Sequence, residues 1–179
     1  MPHEIIAACN DGTYATKYKI GNYKPLDLGS EGIVNMYIVG KNKDNLADGS
    51  GLAKLSWISE ELLNTSYIWN TALVTNSDGT YVEGTGTIGG WGKSKIRTYL
   101  KENVKPLIPE NVRNAIVNVE KSFETYDIYG HKNETSGVDD VWIPGKNEID
   151  DRYTDIVYKD ILNNNELYRK ISAKYGVWW

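Results

Sequence analysis

The sequence predicts a mixed α+β domain in which two main helices pack on a twisted, mostly antiparallel sheet. A helix-period pattern of apolar residues follows Ser94, and residues 33–39 and 54–58 alternate apolar and polar side chains as half-buried strands do. The chain has 179 residues, 40% of them hydrophobic. A chain of this length can form one sizeable hydrophobic core but is short for two domains that each have a core of their own. We therefore expect a single domain over residues 1–179.

The first elements are predicted to be short. Residues 4–9 are a candidate helix that stops at the turn-forming residues 10–12. Residues 18–21 and 23–28 are predicted to be two short strands on either side of a Gly-Asn turn. Because Pro25 has no backbone N–H to donate, the second of these strands should lie at an edge or a bulge of the sheet.

A central strand is predicted at residues 33–39. Val34, Met36 and Ile38 fall on one face of this strand, and that face should be buried. Residues 54–58 alternate as another strand. Ser59 then precedes two acidic residues, a pattern that favours the start of a short helix over residues 60–63.

The segment 89–104 carries the strongest helix signal in the chain. Ser94 is a candidate N-cap, because its hydroxyl can accept a hydrogen bond from an early backbone N–H. The apolar face of this helix consists of Ile96, Tyr99, Leu100 and Val104. Arg97 lies in the first turn, where the helix dipole disfavours positive charge, so a carboxylate partner is expected nearby. Asp139 or Asp140 is the expected partner.

The second half of the chain is predicted to hold one more main helix and two more strands. Pro109 opens the helix near residues 109–116, and a strand begins at residues 117–119. Residues 141–144 form a compact apolar strand candidate, and residues 153–175 are weakly helical. The apolar, strand-like end at residues 177–179 should be covered, for example by self-association with another copy of the chain.

Two long polar segments, residues 64–90 and 122–138, interrupt these regular patterns. Long loops in compact domains are uncommon and often functional. The chain has 13 Tyr and 6 Trp against 1 Phe, and such amphipathic rings suit ligand-facing surfaces. We take the following side chains of the two segments as candidate ligand-binding residues: Tyr67, Trp69, Asn70, Tyr81, Tyr126, Tyr129 and His131. The alternative is that these rings pack back onto the domain.

Charge and composition disfavour several classes of function. The net charge is −4, with 20 basic and 24 acidic residues mixed along the chain, so no strong field attracts nucleic acid or an anionic membrane. No apolar run is long enough to predict a transmembrane helix, and the first residues lack a signal-peptide pattern. The single Cys9 excludes an internal disulfide and a multi-cysteine metal site. We therefore expect no nucleic-acid partner, no membrane insertion and no cofactor.

Two motifs that suggest a bound ion or nucleotide do not fit their context. Asp44 and Asp48 lie in the loop 40–51, but their spacing does not match an EF-hand, so we expect a solvated loop and no metal site. Residues 84–89 match the dinucleotide fingerprint G-x-G-x-x-G. The preceding residues 80–83 are half polar, so the buried strand that this fingerprint needs is missing and dinucleotide binding is not predicted.

Catalytic motifs are weak. The two histidines, His3 and His131, lie in a terminus and a loop, without a nucleophile-elbow motif. Paired carboxylates at residues 139–140 and 150–151 leave a small hydrolase as an alternative function. Adjacent acids in polar stretches are more often surface groups or partners of basic side chains. We assign no catalytic residue and expect the chain not to be an enzyme.

A set of short motifs follows in a fixed order along the chain. They are YKIG at 18–21, LDLG at 26–29, LADGSG at 46–51, WIS at 57–59, GGW at 89–91, IRTYL at 96–100 and DVWIP at 140–144. In this order they resemble an uncharacterised bacterial domain family, and the resemblance covers nearly the whole chain. Members of that family occur in proteins of gut bacteria and their phages, often as surface or adhesion modules. Their tryptophan-rich pattern looks like that of C-type-lectin-like folds.

The resemblance implies a C-type-lectin-like fold and a non-catalytic module that binds a glycan or a protein. It also implies a location outside the cell, at the cell surface or on a phage particle. A structural spacer without a ligand is the alternative. Trp91, Arg97 and Trp142 are expected to be structural, with both tryptophans buried. Family members usually continue past the terminal tryptophans, so their C-terminal strands are expected to be missing here. The calcium–sugar motifs Glu-Pro-Asn and Trp-Asn-Asp are absent from the sequence, so calcium-dependent sugar binding is not implied.

Overall fold

The computed structural model describes residues 2–60, 63–145, 148 and 158–160. These residues form a mixed α+β fold with four α-helices and two small antiparallel sheets, which confirms the predicted fold class at this level. The helices are α1 (Pro2–Asp11), α2 (Tyr14–Lys17), α3 (Lys95–Tyr99) and α4 (Glu110–Arg113). The strands are β1 (Tyr23–Asp27), β2 (Ile33–Lys41), β3 (Leu55–Ser59), β4 (Val119–Tyr126) and β5 (Lys132–Asp139).

β2 is the central strand of a three-stranded sheet with the order β1-β2-β3, as the alternation in the sequence predicts. It pairs antiparallel with both neighbours. Pro25 lies in the edge strand β1, where a missing N–H is tolerated. Val34 and Ile38 are buried as expected, and Tyr37 and Val39 are buried too. Because successive side chains of a strand point to opposite faces, both faces of β2 are covered.

The helix predicted after Ser94 is confirmed. The Ser94 Oγ accepts a hydrogen bond from the Arg97 N–H at 3.3 Å, so Ser94 is the N-cap of α3. The chain continues from α3 as a π-helical turn, Leu100–Val104, and a 3-10 turn, Lys105–Leu107. The buried residues of one core cluster come from this stretch: Trp91, Ile96, Leu100 and Val104.

The prediction of a polar loop over residues 122–138 is wrong, because β4 and β5 form an antiparallel hairpin there. Val119 and Lys121 are buried, whereas Glu120 and Ser122 between and after them are exposed. The sequence hides this alternation, since polar residues fill most positions of the hairpin and a lysine occupies one of the buried positions.

Three other predicted elements differ from the structure. Residues 18–21 are not a strand, because the chain leaves α2 directly into a turn in which the Gly21 N–H donates to the Ile38 carbonyl at 2.9 Å. Residues 141–144 are not a strand either, and their apolar side chains instead pack against the cluster around Trp91. The helix predicted near residues 109–116 is limited to the single turn α4.

Some predictions concern residues outside the described part of the chain. Glu60 forms a bend after β3, and residues 61 and 62 of the predicted short helix are not among those described. The helix predicted over residues 153–175 falls mainly outside this part, and the apolar end at residues 177–179 falls entirely outside it.

Apolar clusters join the helices to the first sheet. Ile38 of β2 packs with Ala8 of α1, with Tyr14 of α2 and with Tyr18, the residue directly after α2. A second cluster joins Val34 of β2 to Leu28 and Ile108. None of the helices in the described ranges has the length and apolar character needed to cross a bilayer.

Candidate functional site

The segment 64–90 has no helix or strand of its own, as predicted. Isolated bridges give it order instead, between Thr71 and Thr85 and between Thr75 and Tyr81. Its turns need left-handed backbone, which glycine adopts without steric cost; the glycines with positive φ are Gly79, Gly84, Gly86, Gly89 and Gly90. The G-x-G-x-x-G match therefore corresponds to a series of tight turns.

This segment is fastened to the N-terminus of α3. The Trp69 carbonyl accepts hydrogen bonds from the Lys95 and Ile96 N–H groups at 3.1 and 3.2 Å. The Asn70 side chain accepts the Lys95 N–H at 2.9 Å and donates to the Gly86 carbonyl at 3.0 Å. The first N–H groups of a helix have no partner within the helix, and the loop supplies partners for two of them. Asn70, a predicted ligand-binding residue, thus has both polar ends of its side chain bonded within the chain.

Tyr67 and Trp69 form a surface that we call the aromatic platform. Tyr67 is 44% exposed and stacks on Tyr99, with ring centroids 4.1 Å apart and planes 13° apart. Trp69 is 39% exposed and leans on the buried Trp91, with ring centroids 5.8 Å apart and planes 47° apart. Each ring of the platform is therefore supported by a second ring while a large part of its own surface faces solvent. Ile68, between them, is also exposed.

The turn of the β4–β5 hairpin, residues 127–131, forms a second exposed group that we call the hairpin tip. The Asp127 carboxylate accepts the N–H groups of Tyr129 and His131, each at 2.9 Å, and lies 3.3 Å from the His131 Nδ1. These hydrogen bonds lower the pKa of Asp127 below its usual value, and the one from the His131 backbone has the largest effect. Tyr129 is 66% exposed, and its ring centroid lies 6.1 Å from that of His131.

Tyr81 joins the hairpin tip to the segment 64–90. Its N–H donates to the Ile128 carbonyl at 2.8 Å, and its ring lies so close to Gly130 that a Cβ there would come within 3.2 Å. Tyr126 accepts the Gly89 N–H at 2.9 Å through its carbonyl. The two polar segments therefore lie side by side, as predicted. The candidate residues fall into two groups, one at the platform and one at the tip.

The residues predicted to be structural meet at a buried carboxylate. The Trp91 Nε1 donates to the Asp139 Oδ2 at 2.7 Å, and the Arg97 Nε donates to the Asp139 Oδ1 at 2.8 Å. The expected carboxylate partner of Arg97 is thus Asp139, while Asp140 pairs with Lys105. Because Asp139 ends β5, these contacts hold the α3 region against the hairpin.

Trp142 is only half-buried, so the prediction that its ring is buried is wrong. Its side chain packs against the cluster around Trp91, and its buried Nε1 has no hydrogen-bond partner among the described residues. The carboxylate pair at residues 139–140 is engaged in two ion pairs, and the pair at 150–151 lies outside the described ranges. Nothing in these contacts favours the hydrolase alternative.

A buried cluster of charged side chains surrounds Lys121, and sequence reasoning missed it. The Lys121 Nζ lies 2.5 Å from the Asp44 Oδ1 and 2.6 Å from the Glu148 Oε1. It also donates to the Tyr158 hydroxyl at 3.1 Å. All four residues are buried. We call Lys121, Asp44, Glu148 and Tyr158 the lysine cluster.

The expectation of a solvated loop over residues 40–51 is wrong at Asp44, which is 4% exposed. Backbone hydrogen bonds hold this loop against β4, from the Glu120 N–H to the Asn45 carbonyl at 2.9 Å and from the Ala47 N–H to the Asn118 carbonyl at 3.0 Å. An open cleft of about 180 Å³ borders the cluster and is lined by Lys43, Asp44, Asn45, Glu120, Lys121, Ser122 and Glu148.

Tyr158 closes the cluster from the side of β2. Its hydroxyl lies within 3.0 Å of both Asp44 carboxylate oxygens and donates to them, and the Ser56 hydroxyl donates to the same carboxylate. Its ring lies so close to Gly40 of β2 that a Cβ there would come within 2.9 Å. Burial is the main reason why the pKa of Tyr158 is raised, and the negative charges of the neighbouring Glu148 and Asp44 carboxylates raise it further. The hydroxyl therefore remains a hydrogen-bond donor at neutral pH.

One signal in the sequence could have indicated the lysine cluster. Lys121 stands two residues after Val119 and two before Phe123, at an inward position of an alternating strand, and a buried lysine needs partners. The partners themselves carry no local signal. Asp44 lies 77 residues away from Lys121 along the chain, and Glu148 lies 27 residues away.

Comparisons with protein-family models, with curated proteins and with solved structures find no match for this chain. The arrangement of its side chains is therefore what indicates a function. The relevant arrangements are the aromatic platform, the hairpin tip and the lysine cluster.

Proposed function

We propose that this chain is a non-catalytic binding module that recognises a glycan through the aromatic platform. The observation that supports this proposal is the exposure of Tyr67 and Trp69 together with their support by Tyr99 and Trp91. A ring that is already held in place loses little conformational freedom when it stacks on a ligand. Aromatic side chains with a polar group provide large, rigid contact areas in recognition surfaces.

The surroundings of the platform favour a sugar over a charged ligand. Thr65, Ser66 and Thr71 adjoin the platform along the chain, are exposed, and carry hydroxyl groups that can each donate and accept a hydrogen bond. A sugar ring has an apolar face for stacking and hydroxyls at its rim, so it matches a surface of flat rings bordered by small polar side chains. The hairpin tip, with the exposed Tyr129 and His131, offers a second contact of the same character.

The ordered motifs of the sequence support the same proposal by resemblance. The family that they resemble occurs as surface and adhesion modules of gut bacteria and their phages. A C-type-lectin-like fold and a location outside the cell, at its surface or on a phage particle, are parts of this proposal. A protein ligand is the alternative to a glycan. A module of this kind needs no catalytic residue.

An array of immobilised glycans tests the proposal. The wild-type chain should bind a defined subset of glycans, and a Tyr67→Ala, Trp69→Ala double variant should lose that binding. Tyr23→Ala is a matched control, because Tyr23 is also an exposed tyrosine stacked on another ring, that of Tyr37 at 5.1 Å, but lies on the edge strand β1. The control should bind as the wild type does.

The other functions predict different results. A protein ligand predicts no binding to the array but retention on bacterial or host cell surfaces that protease treatment abolishes. A structural spacer predicts no binding to either. Glycan binding that the double variant retains in full would refute the platform as the recognition surface.

A further inference from the structure

The lysine cluster brings an amine and a carboxylate together in the interior of the chain. We propose that Lys121 and Asp44 form an intramolecular isopeptide bond, in which the Lys121 Nζ is joined to the Asp44 Cγ, with Glu148 as the group that carries protons during the reaction. This covalent link would be a property of the fold itself and does not depend on the proposed ligand binding.

The distances place the reacting groups side by side. The Lys121 Nζ lies 2.5 Å from the Asp44 Oδ1. Intramolecular reactions are fast when the reacting atoms are held about 3–3.5 Å apart, and this hydrogen bond keeps the amine next to the carboxyl carbon. Backbone hydrogen bonds between residues 45–47 and 118–120 fix the two chain segments on either side of the pair.

The reacting groups lie in the interior of the chain. Side-chain exposure is 8% for Lys121, 3% for Asp44 and 9% for Glu148. The Trp142 and Tyr158 ring centroids lie 3.9 and 5.4 Å from the Lys121 Nζ. Transfer of one proton from the ammonium to the carboxylate that it contacts is the first step of the reaction and gives a neutral amine and a neutral acid. The neutral amine is the nucleophile that the reaction needs.

The reaction balances without an oxidant or another reactant. The Lys121 ammonium gives one proton to an Asp44 oxygen, and the resulting amine attacks the Asp44 Cγ. Glu148 takes a second proton from the nitrogen and delivers it to the leaving oxygen. The C–O bond breaks, one water leaves, and the third ammonium proton stays on the amide nitrogen. The open cleft beside the cluster gives the water a route to solvent.

The hydrogen bonds assign different roles to the two carboxylates. Asp44 accepts hydrogen bonds from the Tyr158 and Ser56 hydroxyls, which can stabilise negative charge that develops on its oxygens during attack. The Glu148 Oε2 accepts the Gly145 N–H at 2.8 Å, which leaves its Oε1, 2.6 Å from the amine, to accept and return a proton. Asp44 is therefore the acyl group, and Glu148 is the proton carrier.

The mass of the denatured full-length chain tests this inference directly. The wild-type chain should be lighter than its sequence by the mass of one water. Lys121→Arg, which keeps the positive charge but lacks the amine, should have its full sequence mass. Glu148→Gln should also have its full sequence mass, because the proton carrier is lost.

Peptide analysis locates the bond and excludes an artefact. A digest of the wild type should contain one branched peptide that joins the Lys121 segment to the Asp44 segment. Water can also be lost by ring closure at Asp-Gly sequences, which occur at residues 11–12, 48–49 and 78–79. That loss would persist in Lys121→Arg and would be reversed by mild base, whereas the amide would resist it.

The outcomes separate clearly even if a variant fails to fold. A wild-type chain with its full sequence mass would overturn the inference. A branched peptide that contains Glu148 in place of Asp44 would overturn the assignment of the acyl group. A wild type that is lighter by one water, with the branched peptide between the Lys121 and Asp44 segments, would support the bond.

Discussion

The side chains of Trp91, Arg97 and Asp139 illustrate how single residues hold this fold together. Asp139 is 2% exposed, and each of its two oxygens accepts a hydrogen bond, one from the indole and one from the guanidinium. A buried carboxylate is tolerated only when it is paired in this way. The positive charge that the first turn of α3 carries is therefore balanced by a residue from the end of β5.

Replacing Asp139 by Asn should lower the free energy of unfolding by about 2–3 kcal/mol, because it leaves Arg97 without its ionic partner in a largely buried site. Urea denaturation measures the change. Glu83→Gln is the control, since it breaks the exposed pair between Lys93 and Glu83 and should cost less than about 1 kcal/mol. Equal small effects of both substitutions would contradict the structural role of Asp139.

Replacing Gly40 by Ala should lower the free energy of unfolding by about 1–3 kcal/mol through overpacking. The reason is that a Cβ at Gly40 would lie 2.9 Å from the Tyr158 ring. Gly137→Ala is a control in β5, where a Cβ would meet Phe123 at an ordinary 3.5 Å. Thermal unfolding of the two variants should show a loss for Gly40→Ala alone; a loss of the same size for both would place the effect elsewhere.

At the scale of elements, the N-terminus of α3 organises both the core and the platform. Ser94 caps the helix, and its hydroxyl also donates to the Trp91 carbonyl at 2.8 Å. The same helix end binds the Trp69 carbonyl and the Asn70 side chain. The geometry of the exposed rings is therefore linked to a buried cap.

Ser94→Ala should lower the free energy of unfolding by about 1 kcal/mol, as expected for the loss of an N-cap side chain. Hydrogen exchange should also speed up at the Lys95 and Ile96 amides, which donate to the Trp69 carbonyl. Ser122→Ala, at an exposed position of β4, is the control and should change neither quantity. Unchanged exchange rates at these two amides in Ser94→Ala would contradict the link between the Ser94 cap and the loop that carries Trp69.

Elements with a clear apolar period were predictable, and those without one were not. α3 and β2 follow from local spacing, because Ile96 with Leu100 and Val34 with Ile38 mark one face each. The β4–β5 hairpin was missed because its stability comes from cross-strand pairing of polar residues, which leaves little hydrophobic signal. The short α4 shows that a few apolar residues at helical spacing do not guarantee a long helix.

The candidate site shows the same limit. Composition and loop position pointed to Tyr67 and Trp69, but their supports, Tyr99 and Trp91, are brought to them only by the fold. The structural role of Asn70 likewise depends on a helix end 25 residues further along the chain. Contacts between distant residues cannot be read from local patterns.

At the scale of the whole molecule, carboxylates that accept hydrogen bonds make stability depend on pH. Hydrogen bonds from Thr13 lower the pKa of Asp11. The pKa of Asp127 is also lowered, chiefly by the hydrogen bond from the His131 backbone N–H. The pKa of Asp78 is lowered in the same way. A carboxyl whose pKa is lower in the folded chain stabilises it at neutral pH, and this contribution disappears as the pH falls through the folded pKa.

The urea midpoint should therefore fall as the pH is lowered from about 6 to about 3, across and below the ordinary carboxyl pKa of about 4. Asp127→Asn should show a shallower fall, because one of the contributing carboxyls is gone. Denaturation curves at a series of pH values provide the measurement. A midpoint that rises on acidification would contradict the sign of these pKa shifts.

The central claim, that Tyr67 and Trp69 recognise a glycan, is tested most directly by calorimetric titration of an array-selected glycan into wild type, Trp69→Ala and Tyr23→Ala. We predict that Trp69→Ala raises the Kd about 30-fold, which corresponds to about 2 kcal/mol, the loss expected of a hot spot. Tyr23→Ala should bind as the wild type does, and thermal unfolding of the same samples should show that Trp69→Ala remains folded. An unchanged Kd in folded Trp69→Ala would contradict the claim.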